Sequence, residues 1–272
     1  MSRIKACFST LSEQGRTALV PYIVAGDPEP GLTVAMMHAL VDAGADMIEL
    51  GVPFSDPMAD GPVITLAHER ALEHKVSLRQ VMAMVADFRQ SNSNTPVVLM
   101  GYANPIEVMG YATLAQIASE AGVDGFLTVD FPPEESAELK AELQAVGIDA
   151  IFLLAPTTTK ERMAKIASSA SGWLYYVSLK GVTGAGLVNT DEVQEKVDQL
   201  KTMTNLPVCI GFGIKDAESA RTMAKIGDGI VVGSALVNRM AELSAQGISD
   251  RADFCHQAAD IIAPIRTAID NL

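Results

Sequence analysis

Two acidic side chains could exchange protons with a substrate. One lies in a short apolar segment, and the other lies in the stretch that follows it. Glu49 lies in the segment DMIEL, and Asp60 lies in the proline-rich stretch after it. Burial raises the pKa of a carboxyl group, so the pair indicates acid–base chemistry near neutral pH. A structural interpretation stays open, in which Glu49 joins a hydrogen-bond network and Asp60 caps the next helix. For Asp56, a turn before Pro57 is the simpler interpretation.

Three clusters of glycine follow the last three apolar segments of the chain. Glycine lets the main chain approach an anion closely, and the N-terminus of a helix presents unpaired N–H groups to it. No Lys or Arg lies in the last two clusters, so we expect a phosphate site built from main-chain N–H groups. The clusters are Gly181 to Gly184, Gly211 to Gly213, and Gly229 to Gly233 with Ser234.

The other side chains with reactive or metal-binding chemistry form no pattern of their own. Lys180 could form a Schiff base, although a solvated loop lysine is the more ordinary interpretation. The cysteines lie far apart, so we expect free thiols in a reducing cytoplasm: Cys7, Cys209 and Cys255. The histidines lack metal-ligand spacing, so we expect no metal site and place them on helix surfaces: His38, His68, His74 and His256.

The charge balance argues against polyanionic partners. The 272 residues include 20 Lys+Arg and 33 Asp+Glu, which gives a net charge of −13. Nucleic acids and anionic membrane surfaces require a basic face. Hydrophobic residues make up 49% of the chain, enough for a large core, and we find no segment long and apolar enough to span a membrane.

A repeated phrase defines the elements that must position these residues. A predicted helix ends in glycine, and a short run rich in Val, Ile and Leu begins a few residues later. Such runs are typical of parallel strands that are buried on both faces, and the glycines suit left-handed helix ends. The glycines are Gly44, Gly122, Gly147 and Gly227. Eight strands are predicted to begin near Leu19, Asp46, Val97, Gly125, Ala150, Leu174, Val208 and Gly229.

The strand spacing, about 30 residues, is that of a strand–helix unit. We therefore predict a single-domain (β/α)8 TIM barrel over residues 1–272, with extra helices at the N-terminus and after strand two. Catalytic residues of such barrels lie at the C-terminal ends of the strands. The predicted helices include 31–43, 63–74, 78–90, 134–146, 190–203, 216–226 and a tail helix over 252–269.

The block IELGVPFSDPMADGP, with PYIVAGDP before it and GVTGA, GFGI and GSALV after it, closely resembles the tryptophan synthase alpha subunit family. The resemblance runs from about residue 3 to the last helix, in the same order and spacing. It implies a lyase of L-tryptophan biosynthesis that cleaves indole-3-glycerol phosphate to indole and glyceraldehyde 3-phosphate, with no cofactor in this chain.

The resemblance also implies roles for individual residues. Glu49 would protonate C3 of the indole, and Asp60 would accept a hydrogen bond from the indole N–H. The indole would contact Tyr22, Met100, Leu127, Leu153, Tyr175 and Phe212, with Tyr102 and Thr183 as polar neighbours. The phosphate would lie at Gly184, Gly213, Gly233 and Ser234. The sequence departs from the family pattern at Leu179, where some relatives carry arginine, and at Gly186, where many do.

A partner is implied in the same way. The family's beta subunit carries pyridoxal phosphate, receives indole through a tunnel, and forms a linear αββα heterotetramer with the alpha subunit. The resemblance places its contacts on the loop 53–60, including Asp56, and on Asn104, Pro105 and Pro132.

Two other functions stay open at this stage. One is a class I sugar-phosphate aldolase that uses Lys180 as its Schiff-base lysine. The other is a non-catalytic regulatory subunit that binds a sugar phosphate and only activates a partner.

Overall fold

In the computed structural model, eight parallel strands close into a barrel in which each strand pairs with its neighbours in sequence and β1 pairs with β8. The structure describes residues 2–177, 189–211 and 213–272. The predicted barrel is confirmed, and each strand begins within two residues of its predicted start. The strands are β1 Ala18–Val24, β2 Ile48–Gly51, β3 Val97–Gly101, β4 Gly125–Thr128, β5 Asp149–Leu154, β6 Leu174–Val177, β7 Val208–Gly211 and β8 Gly229–Val232.

Helices surround the barrel, and the extra helices predicted at the N-terminus and after strand two are present. No helix in the described ranges has the length and apolarity needed to cross a membrane. The helices are α1 Arg3–Glu13, α2 Thr33–Asp42, α3 Pro62–Glu73, α4 Leu78–Arg89, α5 Ala103–Met109, α6 Tyr111–Ala121, α7 Ala137–Ala145, α8 Lys160–Ser169, α9 Thr190–Lys201, α10 Ala217–Ala224, α11 Ser234–Ala245, α12 Arg251–Ala259 and α13 Ile262–Asp270.

The prediction of one tail helix over 252–269 is wrong. The chain instead forms α12 and α13, which are separated at Asp260 and Ile261. Pro264 explains the break, because a proline cannot donate to the carbonyl four residues before it and its ring collides with that carbonyl, here that of Asp260. Pro264 is tolerated in the first turn of α13, where N–H groups have no intrahelical partner.

Three of the four predicted left-handed glycines are confirmed. Gly44, Gly122 and Gly147 have φ of 104°, 82° and 80°. Gly227 is not in the left-handed region, so that prediction is wrong. A Cβ at Gly227 would lie 2.9 Å from Cγ1 of Ile210, so close packing against β7 explains this glycine.

Side chains alternate between two apolar layers, and this alternation orients the acid of β2. Met47 belongs to the cluster inside the barrel, together with Val98 and Leu127. Ile48 and Leu50 belong to the layer between the strands and the helices. Because successive strand residues face opposite sides, Glu49 shares the inner face with Met47.

Ion pairs lie at the N-terminal end of the barrel. Nη1 of Arg266, from α13, lies 2.8 Å from Oδ2 of Asp46, which also accepts the N–H of Leu19 at 2.8 Å. Asp124 is paired in the same way with Arg89, at 2.7 Å, and with Arg3, at 2.9 Å. These contacts fasten the outer helices to the strand starts, so this end of the barrel serves stability.

Candidate active site

Glu49 lies at the C-terminal end of the barrel interior, which we call the mouth. It is the second residue of β2, in register with Tyr22 of β1, and it is 0% exposed. Neither carboxyl oxygen has a hydrogen-bond partner among the described residues. Burial, and secondly the nearby charge of Asp60, raise the pKa of Glu49 from 4.5 to about 8. The side chain is therefore a neutral acid at pH 7, ready to donate a proton.

Asp60 approaches the mouth from the loop 52–61 between β2 and α3. Its side chain is only 6% exposed, and Oδ2 accepts a hydrogen bond from the Tyr102 hydroxyl at 2.7 Å. The helix-cap interpretation is wrong, because the N-cap of α3 is Gly61. The same Tyr102 hydroxyl accepts the N–H of Ala59 at 3.2 Å, so one phenol holds both the carboxylate and its loop.

His68 is the functional candidate that sequence reasoning missed. We expected a histidine on a helix surface, whereas its side chain is 2% exposed and faces Asp60. Nδ1 accepts the N–H of Phe54 at 3.2 Å, and Nε2 lies 3.4 Å from Oδ2 of Asp60 without the alignment of a hydrogen bond. The signal was present in the sequence, because Ile64, Ala67 and His68 lie three and four positions apart on the apolar face of α3.

Two buried tyrosines lie at the mouth, and each packs over a glycine of the next strand. A Cβ at Gly51 would overlap the hydroxyl of Tyr22, and a Cβ at Gly211 would overlap that of Tyr175. Burial first, then the charges of Asp60 and Glu49, raise the pKa of Tyr22. Burial and Glu49 raise the pKa of Tyr175. Both phenols are thus neutral at pH 7, and glycine is required beside them.

The apolar side chains predicted around a ring-shaped substrate come from the inner faces of β3, β4 and β5. Leu127 is fully buried in the inner cluster, whereas Met100 and Leu153 pack against that cluster and are partly exposed. The structure thus supplies an apolar wall beside Glu49. Seven residues named in the sequence analysis lie outside the described part of the chain: Leu179, Lys180, Gly181, Thr183, Gly184, Gly186 and Phe212.

The predicted phosphate residues that the structure describes lie after β7 and β8. Gly213 has φ of 78°, and Ser234 is the exposed first residue of α11. The N-cap of α11 is Gly233, which has no side chain to satisfy the first N–H groups of the helix. These N–H groups and the positive end of the helix dipole suit an anion.

Comparison with known proteins decides the family. The sequence model of the family described as tryptophan synthase alpha chain matches residues 8–263. The tryptophan synthase alpha chain of Marinobacter nauticus is 54% identical over 272 residues, which are 100% of this chain and 99% of that protein. That of Thioalkalivibrio sulfidiphilus is 55% identical over 270 residues, which are 99% and 100% of the two chains. The chain belongs to the tryptophan synthase alpha chain family.

Solved structures agree with this assignment. The tryptophan synthase subunit alpha of Legionella pneumophila superimposes with a TM-score of 0.91 at 44% identity, covering 100% of both chains. Tryptophan synthase from M. tuberculosis, in its aminoacrylate-bound form, gives a TM-score of 0.86 at 31% identity over 99% of this chain and 100% of that chain. The predicted family is confirmed, and with it the carbon–carbon lyase activity of the alpha subunit.

Membership of the tryptophan synthase alpha chain family implies a complex with a beta subunit, and the predicted contact residues lie at the mouth. Asp56 is exposed in the loop after β2, and its Oδ2 accepts the hydroxyl of Ser55 at 2.5 Å. Two apolar side chains beside these residues are 78% and 84% exposed, namely Met58 and Val108. The other predicted contact residues are Asn104 and Pro105, in the first turn of α5, and Pro132, after β4.

Proposed function

We propose that Glu49 and Asp60 catalyse the cleavage of indole-3-glycerol phosphate to indole and glyceraldehyde 3-phosphate. Protonated Glu49 donates its proton to C3 of the indole, which makes C3 tetrahedral and leaves a cationic ring. Asp60 accepts a hydrogen bond from the ring N–H and stabilises the positive charge. The bond from C3 to the glycerol chain then breaks, and its electron pair returns to the ring.

Glu49 both donates a proton and recovers one in this reaction. As the carbon–carbon bond breaks, the adjacent glycerol hydroxyl becomes the aldehyde and loses its proton to the Glu49 carboxylate. The acid is thereby restored for the next turnover. The protonated ring itself accepts the electrons, so the mechanism assigns no cofactor to this chain.

The observation that carries the proposal is the burial of Glu49 beside a second, anchored carboxylate. A carboxyl group with a pKa of about 8 is an acid at neutral pH, and its oxygens are not committed to other described residues. Asp60, by contrast, has one oxygen fixed by Tyr102. Two acids in such different surroundings suit two different roles, proton transfer and charge stabilisation.

The substrate phosphate would lie across the mouth at main-chain N–H groups of Gly213, Gly233 and Ser234, with Gly184 completing the site. Tyr22, Met100, Leu127, Leu153 and Tyr175 would contact the indole, together with Thr183 and Phe212. The uncapped start of α11 supports the phosphate assignment, because an anion there replaces the missing cap.

We infer that the partner is a pyridoxal-phosphate beta subunit and that the assembly is a linear αββα heterotetramer. The exposed Met58 and Val108 beside Asp56, Asn104, Pro105 and Pro132 support an interface at the mouth, where indole leaves. A cytoplasmic location is proposed with it, supported by three cysteines that remain free thiols: Cys7, Cys209 and Cys255.

Indole release from indole-3-glycerol phosphate tests the proposal, measured for the chain alone and with its cognate beta subunit. We expect release that rises with the partner and is largely lost in Glu49→Gln, whereas the exposed Glu69→Gln on α3 serves as the matched control. Lack of release in both conditions would favour the regulatory subunit. A borohydride-trapped adduct on Lys180 would favour the aldolase.

A further inference from the structure

The ring of His68 occupies a closed cycle of contacts around Asp60. Its Nδ1 binds the N–H of Phe54, and the Phe54 ring stacks on Tyr102 with centroids 5.1 Å apart. The Tyr102 hydroxyl donates to Oδ2 of Asp60, and Nε2 of His68 lies 3.4 Å from the same oxygen. These contacts join the loop 52–61, α3 and the end of β3 at the carboxylate of Asp60.

The contact with Phe54 determines which ring nitrogen carries the proton. Nδ1 accepts a main-chain N–H, so it must be unprotonated, and the proton of the neutral ring lies on Nε2. Nε2 is buried and has no hydrogen-bond partner among the described residues. An unpaired N–H is costly in such a place unless it acts on the nearby carboxylate. The nearest carboxylate oxygen is Oδ2 of Asp60.

An ion pair on α3 fixes the helix that directs the Nε2–H of His68 toward Asp60. Two residues further along α3, Nε and Nη2 of Arg70 donate to both oxygens of Asp27, at 2.6 and 3.0 Å. Asp27 follows β1 and its side chain is 0% exposed. Because a bidentate ion pair fixes α3 against the barrel, the main chain that carries His68 is held independently of the loop 52–61, and the Phe54 N–H of that loop orients the ring.

We infer that His68 is a positioning residue for Asp60: its Nε2–H directs Oδ2, together with Tyr102, and leaves Oδ1 for the indole N–H. This inference rests on the proposed function, because it acts through the role given to Asp60. Among the described residues no hydrogen bond engages Oδ1, whereas both neighbours converge on Oδ2. A carboxylate fixed on one side can meet the substrate without reorganising.

A double-mutant cycle separates positioning from a merely structural role. His68→Leu should lower kcat for indole release on the order of ten- to a hundredfold, the scale for a misplaced catalytic group. In an Asp60→Asn background the same change should have an effect below about twofold, because the residue it acts on is already lost. KM should change little in both backgrounds, since the phosphate site is untouched.

Two further variants distinguish the loss of the contact with Asp60 from misfolding of the chain. His68→Gln offers an oxygen that can accept the Phe54 N–H and an amide N–H that can face Asp60, so it should recover a large part of the activity that His68→Leu loses. His38→Leu, a histidine of α2 whose ring contacts Ser91 and Phe88 on the outer side of the barrel, is the matched control and should keep kcat. Thermal unfolding of each variant verifies that it is folded.

Each other outcome contradicts the inference. Equal kcat in His68→Leu and wild type, or an undiminished effect in the Asp60→Asn background, would show that His68 does not act through Asp60. Equal losses in the Leu and Gln variants would show that the ring only fills space. If Asp60→Asn itself keeps full activity, the proposed role of Asp60 fails, and the positioning role fails with it.

Discussion

The hydroxyl of Tyr102 donates a 2.7 Å hydrogen bond to Oδ2 of Asp60, joining the end of β3 to the loop after β2. Tyr102 is 2% exposed, and its hydroxyl also accepts the N–H of Ala59. A hydrogen bond to a charged group contributes about 1.5–3 kcal/mol. One phenol therefore fixes the carboxylate and the loop that carries it.

Tyr102→Phe removes this hydrogen bond and keeps the ring that stacks on Phe54. We expect a loss in kcat/KM on the order of tenfold, because Asp60 is held less firmly where positive charge develops. The measurement is steady-state indole release with the beta subunit. Tyr111→Phe is the control, since its hydroxyl binds the exposed Glu107 of α5. Unchanged kinetics in Tyr102→Phe would contradict the positioning of Asp60 by Tyr102.

The raised pKa of Glu49 predicts the alkaline limb of the pH profile. The reaction begins with the protonated acid, so the alkaline limb of kcat/KM should begin near pH 8 and fall above it. The pH dependence of kcat/KM, measured with the wild-type chain, reports this group in the free protein. A profile that instead falls below pH 6 and stays flat up to pH 10 would contradict the role of Glu49 as an acid.

The same shift predicts how stability depends on pH. The folded pKa of Glu49 lies above the unfolded value, so the folded chain retains a proton that the unfolded chain releases. Stability is then fully present below pH 4.5 and is lost progressively as pH rises to about 8. Glu49→Gln cannot titrate. In urea unfolding, its stability relative to wild type should therefore increase from pH 5 to pH 9, whereas that of Glu69→Gln should not.

Gly51→Ala tests the packing of Tyr22 at the mouth. A Cβ at Gly51 overlaps the Tyr22 hydroxyl, so we expect a loss of about 1–3 kcal/mol in unfolding free energy. Gly101 is the matched control, because it ends the next strand and a Cβ there meets only Val52, at an ordinary 3.4 Å. Gly101→Ala should stay within about 0.5 kcal/mol of wild type. Equal effects of the two substitutions would contradict the argument.

Arg266→Leu tests whether the N-terminal end of the barrel serves stability and the mouth serves catalysis. It leaves the half-buried Asp46 without its ion-pair partner, at a cost of about 3–5 kcal/mol in unfolding free energy. At temperatures where the variant is folded, kcat should be unchanged because the mouth lies at the opposite end. Arg239→Leu loses a more exposed pair with Glu242 and a long hydrogen bond, at 3.5 Å, from Nε to the carbonyl of Gln257, so it should cost only about 1 kcal/mol. A large kcat effect in Arg266→Leu would contradict this division.

The strands were predictable because their signals are local. Glycine followed by a short apolar run marks a helix end and a buried strand, and alternation from Met47 to Glu49 was enough to orient the acid. These patterns depend on backbone geometry within a few residues. The convergence of strand ends then followed from the barrel topology alone.

Features that depend on tertiary neighbours were not predictable in the same way. His68 lies on the apolar face of α3, but only the fold reveals that this face meets Asp60 rather than a hydrocarbon side chain. Gly227 is explained by Ile210, which lies on a neighbouring strand. The break near Pro264 is a different case, because its signal is local: a proline disfavours a helical turn immediately before it.

The pairing of Asp46 with Arg266 spans 220 positions of sequence. During synthesis, Asp46 leaves the ribosome long before its partner has been translated. Until Arg266 has emerged, the Asp46 carboxylate lacks this partner, so the contact between α13 and the start of β2 is among the last contacts of the barrel to form during synthesis.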